Sequence, residues 1–253
     1  MLLLMTHSSK SLKLLLCLFL ALHVAYSFAQ RDLFGDTTAM QLTIVSAWDS
    51  LLADRGDSVS FHKARFIFKE GEEQVSMRVK ISARGHFRKS PAVCTFPPIK
   101  VKIAKEYRKD NMFAKHKNLK LVCHCREESA ILQEYLVYKT YQLFTPYSFK
   151  VRLAEITYVD LKGIRPPEKH YGFFIEDDKR VAKRMGGKRF DASITQMDSV
   201  DREAYLRINA FMYMVGNMDY DILNRKNIKL ISPQKDNFPI PVPYDFDWSA
   251  AVN

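Results

Sequence analysis

The chain has 253 residues, and its 39 Lys and Arg against 28 Asp and Glu give a formal net charge of +11. This length suffices for one full domain or for two small lobes around a shared cleft. The charge favours an anionic partner such as a nucleotide, a polyanionic wall polymer or a membrane surface. The scattered basic residues, without an arginine-rich tail or an aromatic RNA-binding signature, argue against nucleic acid.

Residues 1–29 have the pattern of a secretory signal peptide. Lys10 and Lys13 supply the positive start, 14–24 an apolar stretch, and 27–29 the small residues of a cleavage site. The apolar run is shorter than the about 20 residues that a bilayer span needs. We therefore expect cleavage, a mature chain without a transmembrane segment, and a secreted, periplasmic or cell-envelope location.

The first part of the mature chain is predicted to be rich in strands after a linker with a helix at 30–54. Alternating apolar and charged residues predict a half-buried antiparallel sheet. A helix is predicted by the apolar spacing of Leu132, Leu136 and Tyr141. In chain order, the predicted elements are strands at 59–69, 74–84, 98–104 and 118–122, a helix at 129–144, and strands at 148–160 and 169–175.

The composition changes after Ile175. The remaining predicted elements are helices at 177–184 and 202–215 and short strands at 227–231 and 240–245. Strands first, helices second, and polar residues on loops beyond the boundary predict an α+β protein with two lobes. Residues 55–176 would form a strand-rich N-lobe with one helix, and 177–253 a partial helical C-lobe.

Three cysteines follow the predicted signal peptide, namely Cys94, Cys123 and Cys125. An oxidising compartment favours a disulfide, and a bond between Cys94 and Cys125 would contribute about 3 to 4 kcal/mol through its long loop. If Cys123 and Cys125 lie on one strand they share a face, so their spacing does not decide between them. We take Cys94 and Cys125 as the pair. A zinc site with His116 or His124 is the alternative, although the spacing is poor for zinc.

Two acidic residues end the last predicted strand. Asp245 and Asp247 are two positions apart, and an extended backbone directs both carboxylates to the same side, where they can share one cation. The alternative is a solvated turn with an incidental Asp-x-Asp. The pair alone does not decide between these two interpretations.

The preceding loop at 217–227 supplies complementary groups. Asp219 is a candidate general base, while Asn224 and Asn227 offer amide oxygens, which bind Mg²⁺ without adding negative charge. The alternative is a turn in which these side chains bond to their own backbone. Together the two segments offer what phosphoryl transfer requires, one group for the hydroxyl proton and two for Mg²⁺.

Several segments resemble the spore-coat protein H (CotH) kinase-like family, and most closely its exported bacterial branch. The similar segments lie at 84–88, 94–98, 119–122, 134–136, 171–176, 216–219, 227–230 and 243–247. The resemblance implies an atypical protein-kinase-like fold that transfers the γ-phosphate of ATP to Ser or Thr of secreted proteins, with Mg²⁺ or, in its place, Mn²⁺.

The resemblance also implies roles for the acidic cluster. Asp219 would be the catalytic Asp, Asn227 or Asn224 the metal-binding Asn, and Asp245 the metal-binding Asp, with Asp247 assisting.

Further residues are expected at the nucleotide. Glu134 would orient a phosphate-binding lysine, either Lys102 or Lys120, and the alternative for both lysines is an exposed strand position. The other expected nucleotide-binding residues are Arg84 and Arg88, in a basic hairpin over the phosphates, and Glu176, which would contact adenine through its backbone where the lobes join.

The chain departs from kinases in two respects. It has none of the motifs G-x-G-x-x-G, H-R-D and D-F-G, and it ends soon after Asp247, which gives the expectation of a C-terminally truncated, inactive fragment. A secreted pseudokinase or cell-envelope binding module is the non-catalytic alternative. A metal-dependent glycosyltransferase, with Asp245 and Asp247 as its D-x-D, is the other enzymatic one.

Overall fold

Seven strands close into a barrel in the computed structural model, which describes residues 32–109, 111–125, 127–193, 196–233 and 238–252. The barrel strands are β1 (Met40–Ser46), β2 (His62–Glu70), β3 (Glu73–Ala83), β4 (Ile99–Ile103), β5 (Asn118–Val122), β6 (Val151–Asp160) and β7 (Glu168–Ile175). Their order around the barrel is β1-β2-β3-β4-β5-β7-β6. The β1–β6 pair is parallel and the other pairs are antiparallel, so every barrel strand has two partners. The predicted signal peptide lies outside the described residues.

Apolar side chains that alternate along the strands fill the barrel interior. Phe66 and Phe174 from two strands meet Phe113 from the β4–β5 connection at ring-centroid distances of 5.8 to 6.3 Å. A Cβ at Gly172 would lie 2.7 Å from the backbone carbonyl oxygen of Val122, so this strand position accepts only glycine without rearrangement. The interior is therefore a packed core.

A second layer covers one side of the barrel. The short helix α1 (Trp48–Ala53) follows β1 and is not part of this layer. The layer consists of the helices α2 (Glu128–Phe144), α3 (Asp178–Arg184) and α4 (Arg202–Met214) and of a sheet of β8 (Lys188–Arg189), β9 (Ile228–Ser232) and β10 (Ile240–Pro243). Helix α2 packs on the outside of β6 and β7. Phe173 and Ile175 join Tyr138, Phe211 and Phe246 in a second apolar core between barrel and outer layer.

Helix α4 delivers the chain to the candidate site. Asp201 caps its N-terminus, with the Asp201 carboxylate accepting a hydrogen bond from the Ala204 N–H at 2.8 Å. The helix is followed by Gly216 with φ of 63°, where a Cβ would lie 2.7 Å from Cβ of Ala250. Both the backbone conformation and this close approach favour glycine. The next residue, Asn217, is the first of the site.

The predicted kinase-like, two-lobe α+β fold is wrong. The chain forms a closed seven-strand mixed barrel with few helices, and the residues after 176 pack against its wall without forming a helical lobe. The predicted strands and helices are present with small shifts at their ends. The error arises because alternation shows which face of a strand is buried, but does not distinguish an open sheet from a closed one. The closing strand, β1, lies in the segment that was predicted to be a linker.

The disulfide prediction is confirmed, because Cys94 and Cys125 are bonded. Cys123 is a free, fully buried thiol whose pKa is raised to about 12 by burial. No helix in the described part of the chain is long and apolar enough to cross a membrane.

Candidate active site beside the barrel wall

Asn217 connects the loop after α4 to the acidic segment near the end of the described chain. Its side chain is buried, with Nδ2 donating to Oγ of Ser249 at 3.0 Å. Its Oδ1 accepts the backbone N–H of Asp219 at 2.8 Å. Since one side chain contacts both segments, the position of Asp219 relative to the acidic segment is constrained.

Asp219 is held by two neighbours from its own loop. Asn227 Nδ2 donates to Oδ2 of Asp219 at 2.9 Å and to its backbone carbonyl at 2.7 Å. The ammonium of Lys226 forms an ion pair with Oδ1 of Asp219. The carboxylate remains partly exposed and so accessible to a substrate hydroxyl.

Asn224 does not reach this site. Its backbone N–H and its Nδ2 donate to the Asp221 carboxylate at 2.9 and 2.7 Å on the protein surface. Asn224 therefore belongs to a turn that is closed by hydrogen bonds of its own residues, as the alternative interpretation of this loop predicted. Asn227 is the amide that faces Asp219.

Asp245 and Asp247 face the same cavity as Asp219 and Asn227. This cavity has a volume of about 350 Å³ and its polar lining includes Arg84, Arg88, Asp219, Asn227, Asp245 and Asp247. The sequence-predicted carboxylates, amide and hairpin arginines therefore share one hollow.

Asn227 and Asp245 adopt left-handed backbone conformations, with φ of 54° and 65°. Such conformations are sparsely populated for residues other than glycine, although Asn and Asp tolerate them best. The surrounding bonds hold them. The backbone N–H of Asp245 donates to the Tyr138 hydroxyl at 2.7 Å, and that of Tyr244 donates to the Asn227 carbonyl at 2.9 Å.

Arg88 bridges two carboxylates beneath the cavity. Its Nη2 lies 2.9 Å from Oε2 of Glu134 and its Nε lies 2.8 Å from Oδ2 of Asp247. Burial alone would lower the pKa of Arg88, but the charges of Glu134 and Asp247 outweigh burial and raise it. The guanidinium is therefore a permanent cation in this network.

The carboxyls of the network carry more negative charge than Arg88 neutralises. Burial raises the pKa of Glu134 to about 7, with the charges of Asp245 and Asp247 adding to burial and Arg88 opposing it. The pKa of Asp247 is also raised, by burial first and by the charges of Asp245 and Asp219 as well. A bound cation would relieve this repulsion.

The predicted lysine partner of Glu134 is replaced by Arg88. Lys102 is exposed on the outside of β4, with Nζ 5.7 Å from the Phe61 ring, and is not among the residues lining the cavity. Lys120 is partly buried, with its ammonium 5.0 Å from the Tyr244 ring centroid. Burial first, and the charges of nearby basic residues second, lower the pKa of Lys120 to about 8.

Glu176 links the barrel to the outer layer. Its Oε2 lies 2.9 Å from Nη2 of Arg184 and accepts the Lys150 N–H at 3.1 Å. Its own backbone N–H donates to the Lys150 carbonyl at 2.9 Å. The backbone donor that was expected for adenine is therefore used within the protein.

A larger, mainly apolar cavity adjoins the carboxylate cavity. Its volume is about 590 Å³, and it shares Phe87, Arg88, Asp247 and Trp248 with its neighbour. The rings of Phe87 and Trp248 are 5.5 Å apart and both are more than half exposed. They form a wall between the two cavities.

Sequence reasoning missed Lys226, Asn217, Tyr138 and the Phe87–Trp248 pair. Tyr138 lies four positions after Glu134 on α2, a spacing that puts both side chains on one helix face. That spacing was a readable signal for Tyr138. No sequence pattern indicated the Phe87–Trp248 pair, because its members are far apart in the chain.

A second cluster of ligand-type side chains lies at the end of the barrel. Atoms of His124, Glu168 and His170 that can bind metals lie within 4.8 Å of one another. The two imidazole rings, however, stack with centroids 3.8 Å apart and an interplanar angle of 24°. A metal lies near the plane of each imidazole that binds it, so this pair does not direct its nitrogen atoms at one ion.

No known protein family and no curated protein matches the chain. The resemblance to the CotH family therefore stays a prediction from its motifs, and the site is interpreted from its own geometry.

Proposed function

We propose that the chain binds a nucleoside triphosphate with a divalent cation and transfers the terminal phosphoryl group to a Ser or Thr hydroxyl of a secreted or cell-envelope protein. The observation that carries the proposal is the convergence of Asp219, Asn227, Asp245 and Asp247 on one cavity that Arg84 and Arg88 also line. Carboxylates and an amide are ligands that Mg²⁺ accepts, and arginine is suited to phosphate.

The donor set fits a divalent cation. Asp245, Asp247 and the amide oxygen of Asn227 would hold it. The pKa of Asp247 is raised by burial first and by the nearby charges of Asp245 and Asp219 as well, and a bound cation would oppose both effects. A bound Mg²⁺ supplies neutralisation of the phosphate oxygens during transfer. The left-handed backbones of Asn227 and Asp245 fix the two side chains before any ligand arrives.

Asp219 is suited to accept the proton of the acceptor hydroxyl. Asn227 orients its Oδ2 at 2.9 Å, and Lys226 pairs with its Oδ1. These contacts hold the carboxylate in one orientation, which a general base requires. Lys226 also borders the cavity and can contact a phosphate oxygen from there.

The larger apolar cavity suits the nucleoside. Its volume of about 590 Å³ is within the usual range of small-molecule sites, roughly 300 to 1,000 Å³. Trp248 and Phe87 offer aromatic faces to a base, while the shared residue Arg88 lies between the two cavities. The nucleoside and the phosphates would thus occupy adjoining spaces.

Calorimetric titration with ATP, with and without Mg²⁺, tests the metal-dependent binding. We expect Mg²⁺-dependent binding that Asp245→Asn abolishes and that the matched variant Asp221→Asn, in the exposed turn of the 217–227 loop, retains. ATP affinity that is unchanged in Asp245→Asn would contradict the assignment.

Transfer of labelled phosphate to a mixture of secreted proteins tests the chemistry. Asp219→Asn should bind ATP normally and lose at least about 100-fold in transfer rate, the contribution typical of a general base. Binding without transfer by the unaltered chain would favour the non-catalytic alternative. Calorimetric binding of a nucleotide sugar, without binding of ATP, would favour the glycosyltransferase.

Comparing ATP with inorganic triphosphate tests where the nucleoside lies. Trp248→Ala should weaken ATP binding roughly tenfold, as expected for one lost stacking contact, and leave triphosphate binding unchanged. Equal losses for both ligands would contradict the placement.

A further inference from the structure

The outer face of β2, β3 and β4 carries a continuous array of exposed basic side chains, here called the basic face. Its members are Lys63, Arg65, Arg78, Lys80, Lys100 and Lys102. They alternate with the apolar residues that fill the barrel, so the strand period directs all of them outward.

The strand register places basic residues directly opposite one another. Arg65 faces Arg78, and Lys80 faces Lys63 on one neighbouring strand and Lys102 on the other. Like charges at directly opposed positions destabilise a sheet. Within the described residues, none of the six basic-face side chains forms an ion pair with a carboxylate. Arg78 donates a hydrogen bond to the Tyr107 hydroxyl and is attracted by Glu106, whereas the directly opposed lysines Lys63, Lys80 and Lys102 retain their mutual repulsion in the free protein.

Two features of the face suit a phosphate-bearing surface. Four basic side chains, Lys63, Arg78, Lys80 and Lys102, border a hollow of about 400 Å³, against one acidic residue, Glu106. At one side, the Phe61 ring is 40% exposed, with the ammonium of Lys100 at 5.9 Å. Basic hollows accept phosphate headgroups, and an aromatic ring beside them is typical of residues at a membrane interface.

We propose that the basic face binds the anionic headgroups of a phospholipid bilayer. The array extends along and across three strands, and the outside of a closed barrel is convex. An array of charges that spreads in two dimensions can contact an extended anionic plane at several points. Single-stranded nucleic acid instead follows grooves and stacks its bases on several aromatic side chains.

The composition of the face agrees with this partner. Four of its members are lysines, which act as flexible point charges, whereas recognition of individual phosphates favours the rigid fork of arginine. The carboxylate cavity lies beyond one end of the same strands, because Arg84 directly follows β3 and Pro98 directly precedes β4. This inference does not depend on the proposed phosphoryl transfer.

Sedimentation with vesicles tests the proposal. We expect the protein to bind vesicles of phosphatidylcholine with phosphatidylglycerol and not vesicles of phosphatidylcholine alone. Binding should be lost in 1 M NaCl, where the Debye length is about 3 Å. The triple variant Lys63→Gln, Lys80→Gln, Lys102→Gln should bind roughly 100-fold more weakly, since each basic residue contributes about fivefold.

The matched control removes the same charge elsewhere. The variant Lys162→Gln, Lys183→Gln, Lys188→Gln changes exposed lysines in the β6–β7 turn, α3 and β8 and should retain vesicle binding. Equal loss in both triple variants would overturn the proposal, since net charge alone would then explain binding. Tighter binding to labelled single-stranded DNA than to vesicles, lost in the basic-face variant, would overturn it in favour of nucleic acid.

Discussion

Two walls of the same barrel have equally apolar inner faces, but the outer face of one wall is apolar and that of the other is basic. The wall of β5, β7 and β6 directs Val122, Phe173 and Ile175 outward into the core shared with α2. The wall of β2, β3 and β4 directs basic residues such as Lys63 and Lys80 outward into solvent. Since both walls contribute equally apolar side chains to the interior, the outward-facing positions alone decide what each wall binds.

The comparison shows how one barrel separates two kinds of surface. The covered wall supports the carboxylate site through Tyr138 and Glu134 of α2, while the bare wall concentrates positive charge. The formal net charge of +11 gives no indication of this separation. Variants on the two walls should therefore behave differently, and four tests address the difference.

The largest effect is expected from truncation of the covered wall. Phe173 is fully buried, with its ring 5.7 Å from that of Tyr138. Phe173→Ala should reduce the free energy of unfolding by about 3 to 5 kcal/mol. Ser76→Ala, at an exposed position on β3, should change it by less than about 0.5 kcal/mol. Urea denaturation of both variants checks this, and similar values for the two would remove the distinction between the walls.

The second test breaks the covalent link near the seam between the walls. The Cys94–Cys125 disulfide joins the β3–β4 connection to the segment after β5, at a sequence separation of 31. Replacing both by Ser should cost about 3 to 4 kcal/mol according to the loop-entropy relation. Reduction of the unaltered protein should give the same loss, and added reductant should not affect the variant. A loss below 1 kcal/mol would mean that the unfolded chain is already constrained.

The third test uses pH at the same seam, where His124 stacks between Phe96 and His170. Burial first, and the charge of His170 second, lower the pKa of His124 from 6.5 to about 4. The unfolded chain therefore takes up a proton in a range where the folded protein does not. The contribution of His124 to stability is complete above pH 6.5 and is lost as the pH falls toward 4, by up to about 3 kcal/mol.

His124→Phe should keep the stack and remove this part of the pH dependence. Chemical denaturation at several pH values between about 4 and 7 measures the pH dependence of the free energy of unfolding of both proteins. His86→Ala, at an exposed position, controls for the loss of a histidine. A profile of His124→Phe that parallels that of the unaltered protein would contradict the assignment.

The smallest effect is expected on the bare wall. Lys80 faces Lys63 and Lys102 in register, so Lys80→Gln should stabilise the protein by about 0.2 to 1 kcal/mol at low salt. The gain should shrink in 1 M NaCl because the Debye length falls to about 3 Å. Lys162→Gln, in the β6–β7 turn, should show no gain. Destabilisation by Lys80→Gln at low salt would mean that repulsion across the wall is already compensated.

The strands of the barrel could be read from the sequence, but its closure could not. Alternation locates β2 to β5 because each has one face in the core. The closing strand β1 pairs Gln41 with Glu155, 114 positions away. Local periodicity contains no information about such a distant partner, so an open sheet in one of two lobes was the natural prediction.

The candidate site was partly readable for a related reason. Two short segments contain Asp219, Asn227, Asp245 and Asp247. Their carboxylate and amide oxygens are typical ligands of divalent cations, which indicated a metal site. The partner of Glu134 was misassigned, because the turn after β3 brings Arg88 over α2 and only the folded chain shows this approach. Residue types were enough to bring together the loop at 217–227 and the acidic segment, whereas they did not show which basic side chain reaches Glu134.

The parallel pairing of β1 with β6 also has a consequence for biosynthesis. The chain leaves the ribosome from its N-terminus, so β1 to β5 are available before β6 and β7 have been made. During that interval the nascent sheet has two unpaired edges, which are templates for aggregation. Closure joins strands far apart in sequence and is therefore slow. A factor that shields β1 during translation should raise the yield of this protein more than one that acts on the completed chain.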